Sequence, residues 1–185
     1  MKNVDHEKLE RLMEEFRNRP IYKELSPKIL ATIPDDKIEQ AIIDYIRTKI
    51  LDYDEEFAVV SNLSDGFQLV YSTWLLEAEV NNGGFNQFFI NSSGQFADMA
   101  LRSLKMISAA TYYDVLQKAI EIHDHEKDNH VLQDLYSQRT LQAFSESYKI
   151  TSLKECDIAF YKSKNRLSEL RLQYIRLNPE MFVGS

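Results

Sequence analysis

Cysteine, glycine and proline are all scarce in this sequence of 185 residues, which contains one Cys, five Gly and four Pro. The single Cys156 has no partner for an intramolecular disulfide, as is usual for a reducing compartment. So few chain-breaking residues, combined with many Leu, Ile, Lys and Glu, predict helices joined by short connections.

Long apolar runs are also missing. No segment approaches the roughly 18 consecutive apolar residues that identify a membrane-spanning helix. The N-terminal segment carries charges throughout and lacks the apolar stretch of a secretion signal. The sequence therefore predicts a cytoplasmic protein with no membrane partner.

Positive charge is in the minority, with 22 Lys and Arg against 29 Asp and Glu and a formal net charge of −7. Binding to nucleic acid requires a basic face, so direct contact with DNA or RNA is disfavoured. A basic partner is easier to accommodate. The charge therefore indicates either a surface for a basic partner or simple solubility.

Carboxylates three or four residues apart on a helix lie ~5–6 Å from each other, whereas one DNA strand places a phosphate every ~3.4 Å along its axis. An acidic helix face can thus approximate a row of phosphates. Each cluster is also explained as a solvated helix face, and Lys37, Lys49 and Lys127 interrupt the acids. The candidate partner-binding clusters are Asp35, Asp36 and Glu39; Asp52, Asp54, Glu55 and Glu56; and Glu121, Asp124, Glu126 and Asp128.

Hydrophobic periodicity predicts an all-α fold, with residues 1–185 forming a single compact domain of eight or nine helices and no β-sheet. Residues 1–34 are predicted as an N-terminal helical extension and residues 35–182 as the core. In the first helix, the apolar residues at i, i+3, i+4 and i+7 form one stripe: Leu9, Leu12, Met13 and Phe16.

A capping box is recognisable towards the C-terminus, where Ser152 is followed three residues later by Glu155. The apolar periodicity continues from there to about Leu177, and Pro179 follows. This pattern predicts that the longest helix of the chain spans residues 152–177.

The strongest local signal is the segment 79–94, with the sequence EVNNGGFNQFFINSSG. Gly83 and Gly84 supply the backbone freedom that a helix end requires. Phe85, Phe88 and Phe89 would then dock a short following helix into the core. In this interpretation the segment is a structural junction between a helix over residues 64–80 and one over residues 85–90.

The alternative interpretation is a binding notch. Amide side chains both donate and accept hydrogen bonds, which suits recognition of a peptide backbone or a base edge. They are poor acids, bases and nucleophiles and do not indicate catalysis. The residues of this candidate site are Glu79, Asn81, Asn82, Gly83, Gly84, Phe85, Gln87, Phe88, Phe89, Asn91 and Gly94.

The segment 79–94 resembles the signature of a bacterial domain family of unknown function that is named after a DNA-mimic protein. The preceding Trp74-Leu75 and the closing stretch 167–182 are similar too, so the resemblance covers about residues 35–182, with only the NNGGF part specific. It implies an all-α fold and no known catalytic activity. From the founding member it implies a dimer whose acidic face imitates DNA and captures a DNA-binding regulator, although the mimicking acids lie outside the motif.

Three histidines and three acidic residues fall within residues 123–130. Imidazole and carboxylate groups are common ligands of zinc and iron. However, Lys127 rather than a histidine occupies the position four residues after His123, and HExxH is absent. His123 and His130, seven residues apart, share a helix face, and any metal site would need further ligands from elsewhere.

Three functional hypotheses follow from these patterns. The first is a non-enzymatic acidic binding protein, a homodimer without a cofactor, that captures a basic or DNA-binding protein. The second is a peptide-binding or small-ligand-binding module that uses the NNGGF notch. The third is a metal-dependent enzyme that uses His123, His125 or His130.

Overall fold

The structure, a computed structural model, describes residues 2–138, 140–163 and 166–183, and these residues fold into helices joined by short turns. Three short 3₁₀ helices lie at Tyr53–Glu55, Ser92–Phe96 and Pro179–Phe182. The α-helices are α1 (Lys2–Arg17), α2 (Pro27–Leu30), α3 (Asp35–Arg47), α4 (Glu56–Ser61), α5 (Asp65–Ile90), α6 (Ala97–Met106), α7 (Ala110–Glu126), α8 (His130–Gln138), α9 (Leu141–Ser147), α10 (Lys154–Tyr161) and α11 (Leu167–Leu177).

The all-α prediction is confirmed, and no strand occurs in the part of the chain that the structure describes. Eleven α-helices are found within these ranges, slightly more than the eight or nine predicted. The largest difference concerns residues 152–177, which form α10 and α11 instead of one long helix. Ser152 is not a helix cap, because Leu153 occupies the N-cap position of α10.

Helix α5 is the central element of the fold, and it packs against α3, α6, α10 and α11. Buried residues occur on several of its sides, as expected for a helix enclosed by others. Ser64 precedes it, but the Ser64 hydroxyl donates to the carbonyl of Met181 at 2.6 Å rather than accepting from the helix. This contact fastens the start of α5 to the C-terminal 3₁₀ helix.

Aromatic side chains connect the central helix to its neighbours. Phe67 of α5 stacks on Tyr45 of α3, with ring centroids 5.1 Å apart, and its edge-to-face contact with Phe182 has a separation of 5.6 Å. Both phenylalanines and Tyr45 are buried. The C-terminal 3₁₀ helix therefore closes the core over α3 and α5.

Two arginines of α11 also join distant segments. Arg171 is 1% exposed and pairs with Glu39 of α3 at 2.6 Å and with Glu77 of α5 at 2.5 Å. Arg176 donates to Asp35, to the carbonyl oxygen of Leu30 at the end of α2 and to that of Ile33 in the turn before α3. These contacts form because α11 lies across α3 and α5. The chain reaches this position because α10 and α11 are separate helices.

Helix α1 differs from the others because its described side chains, from His6 onwards, are all exposed. The predicted apolar stripe is present on this helix, and its side chains are about half exposed, with Arg19 covering the ring of Phe16. Just after this helix, Arg19 pairs with the buried Asp44 of α3 at 2.5 Å. The division into an extension of residues 1–34 and a core of residues 35–182 stays a prediction.

Candidate functional site

The NNGGF motif forms a kink inside α5. The backbone is helical up to Asn82 and resumes at Phe85, while Gly83 (φ −154°, ψ 27°) and Gly84 (φ 69°, ψ −177°) are not helical. A positive φ of this kind is accessible to glycine and costly for other residues. The prediction of two helices divided at the paired glycines therefore describes the local geometry well, although the two parts adjoin directly.

Asp157 of α10 holds the chain on the far side of the kink. Its carboxylate accepts the backbone N–H of Phe85 at 2.7 Å, one of the N–H groups that the kink releases from the helix. A Cβ atom on Gly84 would lie 2.6 Å from Asp157 Oδ2 and would overlap the hydroxyl of Tyr148. Burial raises the pKa of the Asp157 carboxyl and, more strongly, the pKa of the Tyr148 hydroxyl.

Asn86 connects the kink to the hairpin of α8 and α9. Its side chain is 1% exposed, and Nδ2 donates to the hydroxyl of Ser147 in α9 at 2.8 Å. Its Oδ1 accepts from the hydroxyl of Tyr136 in α8 at 2.9 Å. Burial raises the pKa of Tyr136 to about 12, so this hydroxyl keeps its proton near neutral pH and donates it.

Glu79 brings together two amides of the motif. Its Oε2 accepts from Gln87 at 2.7 Å and from Asn91 at 2.9 Å, so that the three side chains bridge the two parts of α5. Nearby, the hydroxyl of Tyr161 donates to the carbonyl of Val80 at 2.6 Å. Much of the polar content of the motif therefore maintains the kink.

The remaining motif residues divide between surface and core. Asn81 and Asn82 are exposed on the last turn before the kink. Phe85 and Phe88 are fully buried, as the junction interpretation predicts, and Phe89 is partly buried. Gly94 lies in the following 3₁₀ helix, where its N–H donates to the carbonyl of Asn91 at 3.1 Å.

The histidines of residues 123–130 have different environments. His123 stacks flat on Phe89, with ring centroids 4.3 Å apart and an interplanar angle of 4°. Burial lowers the pKa of His123. His125 and His130 are exposed. Within the described ranges, no three His, Cys, Asp or Glu side chains are grouped closely enough to hold a metal ion.

A cavity of about 650 Å³ opens beside the motif, between the end of α5 and the α8–α9 hairpin. Its walls combine apolar side chains with hydroxyl and amide groups. Asn91 and Tyr136 link it to the hydrogen-bond network of the kink. The apolar lining residues are Ile90, Leu135, Leu141 and Phe144.

Four of the eleven candidate partner-binding acids contact residues that lie at least 15 positions away in the chain. Asp35 and Glu39 pair with Arg176 and Arg171, as described above. Glu56 is 9% exposed and accepts a short hydrogen bond from the hydroxyl of the buried Tyr71. Glu126 accepts from the hydroxyl of Thr151 at 2.6 Å and from the backbone N–H of Ser152 at 2.8 Å.

The other seven candidate acids have exposed side chains. Asp52 also accepts the backbone N–H of Asp54 at 3.0 Å, which fixes the turn that precedes α4. Asp35 stays exposed despite its pairing with Arg176, so the structure leaves three groups of exposed carboxylates: Asp35 and Asp36; Asp52, Asp54 and Glu55; and Glu121, Asp124 and Asp128.

Sequence reasoning missed the residues that hold the motif from outside. Asp157, Tyr136, Ser147 and Tyr161 lie between 50 and 81 residues from their partners in or beside the motif. No local spacing signals such contacts. The one signal in the sequence was the polar Asn86 among phenylalanines, because a buried amide needs hydrogen-bond partners for both its donor and its acceptor.

Together these features define an all-α protein whose central helix is kinked at a glycine pair and braced by carboxylate, amide and phenol groups. The sequence profile of the family described as DMP19-like protein matches residues 61–178, more than half of the chain, and the chain belongs to this family. The resemblance to the family of the DNA-mimic protein is thereby confirmed. The clusters at Asp35–Glu39 and Asp52–Glu56 lie outside the matched residues, whereas that at Glu121–Asp128 lies inside.

No curated protein and no solved structure matches the chain. None of the helices in the described ranges combines the length and the apolar character that crossing a membrane requires.

Proposed function

We propose that this protein is a non-enzymatic, cytoplasmic binding protein whose acidic surface captures a basic protein partner, with DNA-binding proteins as the main class. The observation that carries the proposal is membership of the DMP19-like family over residues 61–178, because a DNA mimic acts by occupying the DNA-binding surface of another protein. The chain's net charge of −7 has the sign that such a partner requires.

The exposed carboxylates are the groups best suited to contact the partner. Asp52, Asp54 and Glu55 project from a turn that is anchored by the buried Glu56–Tyr71 contact and by Phe57, whose ring packs edge-on against Phe96 at 5.1 Å. A fixed turn loses little conformational entropy when it binds. Glu121, Asp124 and Asp128 provide a second exposed group within the family match.

The test is capture of proteins from a cell lysate by the immobilised chain, with double-stranded DNA as a competitor. The expected result is retention of basic DNA-binding proteins, with release by DNA and by an increase in salt, since surface electrostatic attraction is screened. Retained proteins that are acidic, insensitive to salt and unaffected by DNA would contradict the proposal.

A matched pair of variants assigns the capture to the proposed carboxylates. The triple variant Asp52→Asn, Asp54→Asn, Glu55→Gln removes three negative charges from the turn. The control Asp114→Asn, Asp134→Asn, Glu155→Gln removes the same charge from exposed positions elsewhere. Capture that falls only in the first variant supports the turn as a contact, and an equal fall in both indicates net charge alone.

The cavity beside the motif supports a second candidate function, the binding of a peptide or small ligand. Its volume of about 650 Å³ lies within the usual range of ligand sites, and apolar walls with a few amide and hydroxyl groups are typical of them. Asn91→Ala and Leu141→Ser change its lining. If a library of short peptides shows no binding that these variants weaken, the cavity is not a ligand site.

A further inference from the structure

Two large apolar side chains are almost fully exposed in the turn between α3 and α4. Leu51 is 93% exposed and Tyr53 is 81% exposed. Among the described residues, Tyr53 has no hydrogen-bond partner and no ring contact. Tyr161, the other exposed tyrosine of the described ranges, uses its hydroxyl to bind the Val80 carbonyl. The ring and the hydroxyl of Tyr53 are therefore both available to a partner.

Acidic and apolar side chains alternate along this turn. Asp52 separates Leu51 from Tyr53, and its backbone is extended (φ −131°, ψ 132°). Neighbouring side chains of an extended backbone point to opposite sides. Asp54 and Glu55 follow, and their carboxylates are exposed as well. The turn thus presents two kinds of group to solvent, negative charge and apolar surface.

Hydrogen bonds within the turn hold this arrangement. Asp52 Oδ1 accepts the backbone N–H of Asp54 at 3.0 Å, and the Asp52 carbonyl accepts that of Glu55 at 3.1 Å. Directly after the turn, Phe57 packs edge-on against the buried Phe96. An exposed ring on a turn that is already ordered loses little conformational entropy when it enters a partner.

The positive side chains that precede the turn are directed towards aromatic rings. The guanidinium carbon of Arg47 lies 5.0 Å from the centroid of the Trp74 ring, and Lys49 Nζ lies 4.9 Å from that of Tyr45. Among the described residues, neither base forms an ion pair with a carboxylate of the turn. The negative charge of the turn is therefore available to a basic partner.

We infer that the turn of residues 51–55 docks into the groove of a protein that binds single-stranded nucleic acid, with the Tyr53 ring in the position of a base and the carboxylates in those of phosphates. This inference rests on the proposed function and narrows its class of partner. Such grooves combine basic side chains along the backbone with aromatic side chains on which bases stack. The turn offers the complement of both features, because its carboxylates and the Tyr53 ring are exposed.

A protein that reads duplex DNA is a poorer complement to this turn. It contacts phosphates and the edges of bases in the grooves, because the faces of paired bases are stacked inside the duplex. Carboxylates alone would satisfy such a surface, and Leu51 and Tyr53 would meet groups suited to phosphates. The exposed apolar pair therefore favours a partner that binds single strands.

Elution of captured proteins tests the class of partner. Proteins retained by the immobilised full chain are released with single-stranded oligothymidine in one arm and with double-stranded DNA at equal phosphate concentration in the other. Oligothymidine should release the basic proteins at a concentration about tenfold lower. Equal or preferential release by the duplex would overturn this inference and leave the proposed function standing. If neither nucleic acid released a basic protein, both would fail.

Substitutions then test the Tyr53 ring. The protein that oligothymidine releases is identified and purified, and its dissociation constant for the chain is measured. Tyr53→Ala should raise this constant about tenfold, because a stacked ring is lost. Tyr53→Phe keeps the ring, and the control Leu177→Ala changes an exposed apolar side chain on α11. Both should stay within about twofold of the parent, and an unchanged constant in Tyr53→Ala would overturn the proposal.

Discussion

Asp157 lies 72 residues after Phe85 in the chain, and its carboxylate accepts the Phe85 backbone N–H at 2.7 Å. This hydrogen bond replaces one that a continuous helix would have made within α5. Helix α10 therefore contributes to holding the kink of the NNGGF motif, together with the contacts of Glu79 and Asn86.

Gly84→Ala tests how tightly the kink is constrained. The positive φ and the overlap of a new Cβ with the Tyr148 hydroxyl predict a loss of about 1–3 kcal/mol in the free energy of unfolding. Urea denaturation measures this loss. Asn82→Ala, an exposed position two residues earlier, should change stability by less than about 0.5 kcal/mol. Equal effects of the two variants would show that the kink is not specifically constrained.

Asn86→Ala should loosen the α8–α9 hairpin. The change removes the acceptor of the Tyr136 hydroxyl and the amide donor to the Ser147 hydroxyl, which keeps its bond to the Phe144 carbonyl, and the expected cost is about 1–3 kcal/mol. Hydrogen exchange should accelerate in α8 and α9 more than in α6. Gln133→Ala, on the exposed side of α8, is the control and should leave exchange unchanged. Uniform acceleration across all helices would contradict a local role.

Arg171→Met should be among the most damaging single changes. It leaves the carboxylates of Glu39 and Glu77 close together without their cation, and breaking a buried ion pair in this way costs about 3–5 kcal/mol. The exposed Arg102→Met is the control.

Simultaneous replacement of Arg171, Glu39 and Glu77 by Met should recover much of that loss, because a well-packed apolar group can substitute for a buried ion pair. Thermal unfolding of the single and triple variants gives the comparison. A triple variant that is less stable than the single variant would show that the charges themselves are required.

His123 should make stability depend on pH. Burial against Phe89 lowers the pKa of His123 in the folded state, opposed by Asp124 and Glu126 and assisted by Lys127. The unfolded chain therefore binds a proton near pH 6.5, before the folded protein does. Stability is fully present above that pH and declines as the pH falls below it, until the folded-state pKa is reached.

Free energies of unfolding between pH 5 and pH 8 test this expectation. His123→Phe retains a ring against Phe89 but cannot titrate, so its stability should decline less on acidification. His125→Gln alters an exposed histidine on the same helix and should keep the decline of the parent. An unchanged decline in His123→Phe would assign the pH dependence to other groups.

Local sequence patterns predicted the helices and the break at the paired glycines, because both depend on residues close together in the chain. They failed for residues 152–177, where a capping pattern and apolar spacing suggested one helix. Ser152 contacts Glu126 instead of capping, and α11 is positioned by Arg171 and its two distant glutamates. Neither contact is encoded in the spacing of neighbouring residues.

The acidic clusters show a similar limit. The sequence gives the positions of the carboxylates but does not indicate which of them are exposed in the folded protein. Glu56 faces Tyr71, and Asp35 pairs with an arginine 141 residues away. Only the folded chain separates the acids available to a partner from those that stabilise α3, α4 and α7.

The arginines of α11 have a consequence for how the chain's charge is presented. Residues 161–185 hold five bases and two acids, so the C-terminal segment is basic when the sequence is read alone. Arg171 is enclosed between two glutamates, and Arg176 is engaged by Asp35 and two carbonyl oxygens. The guanidinium groups of these two residues therefore join helices within the protein. Little of their positive charge is available to bind an anion from solution.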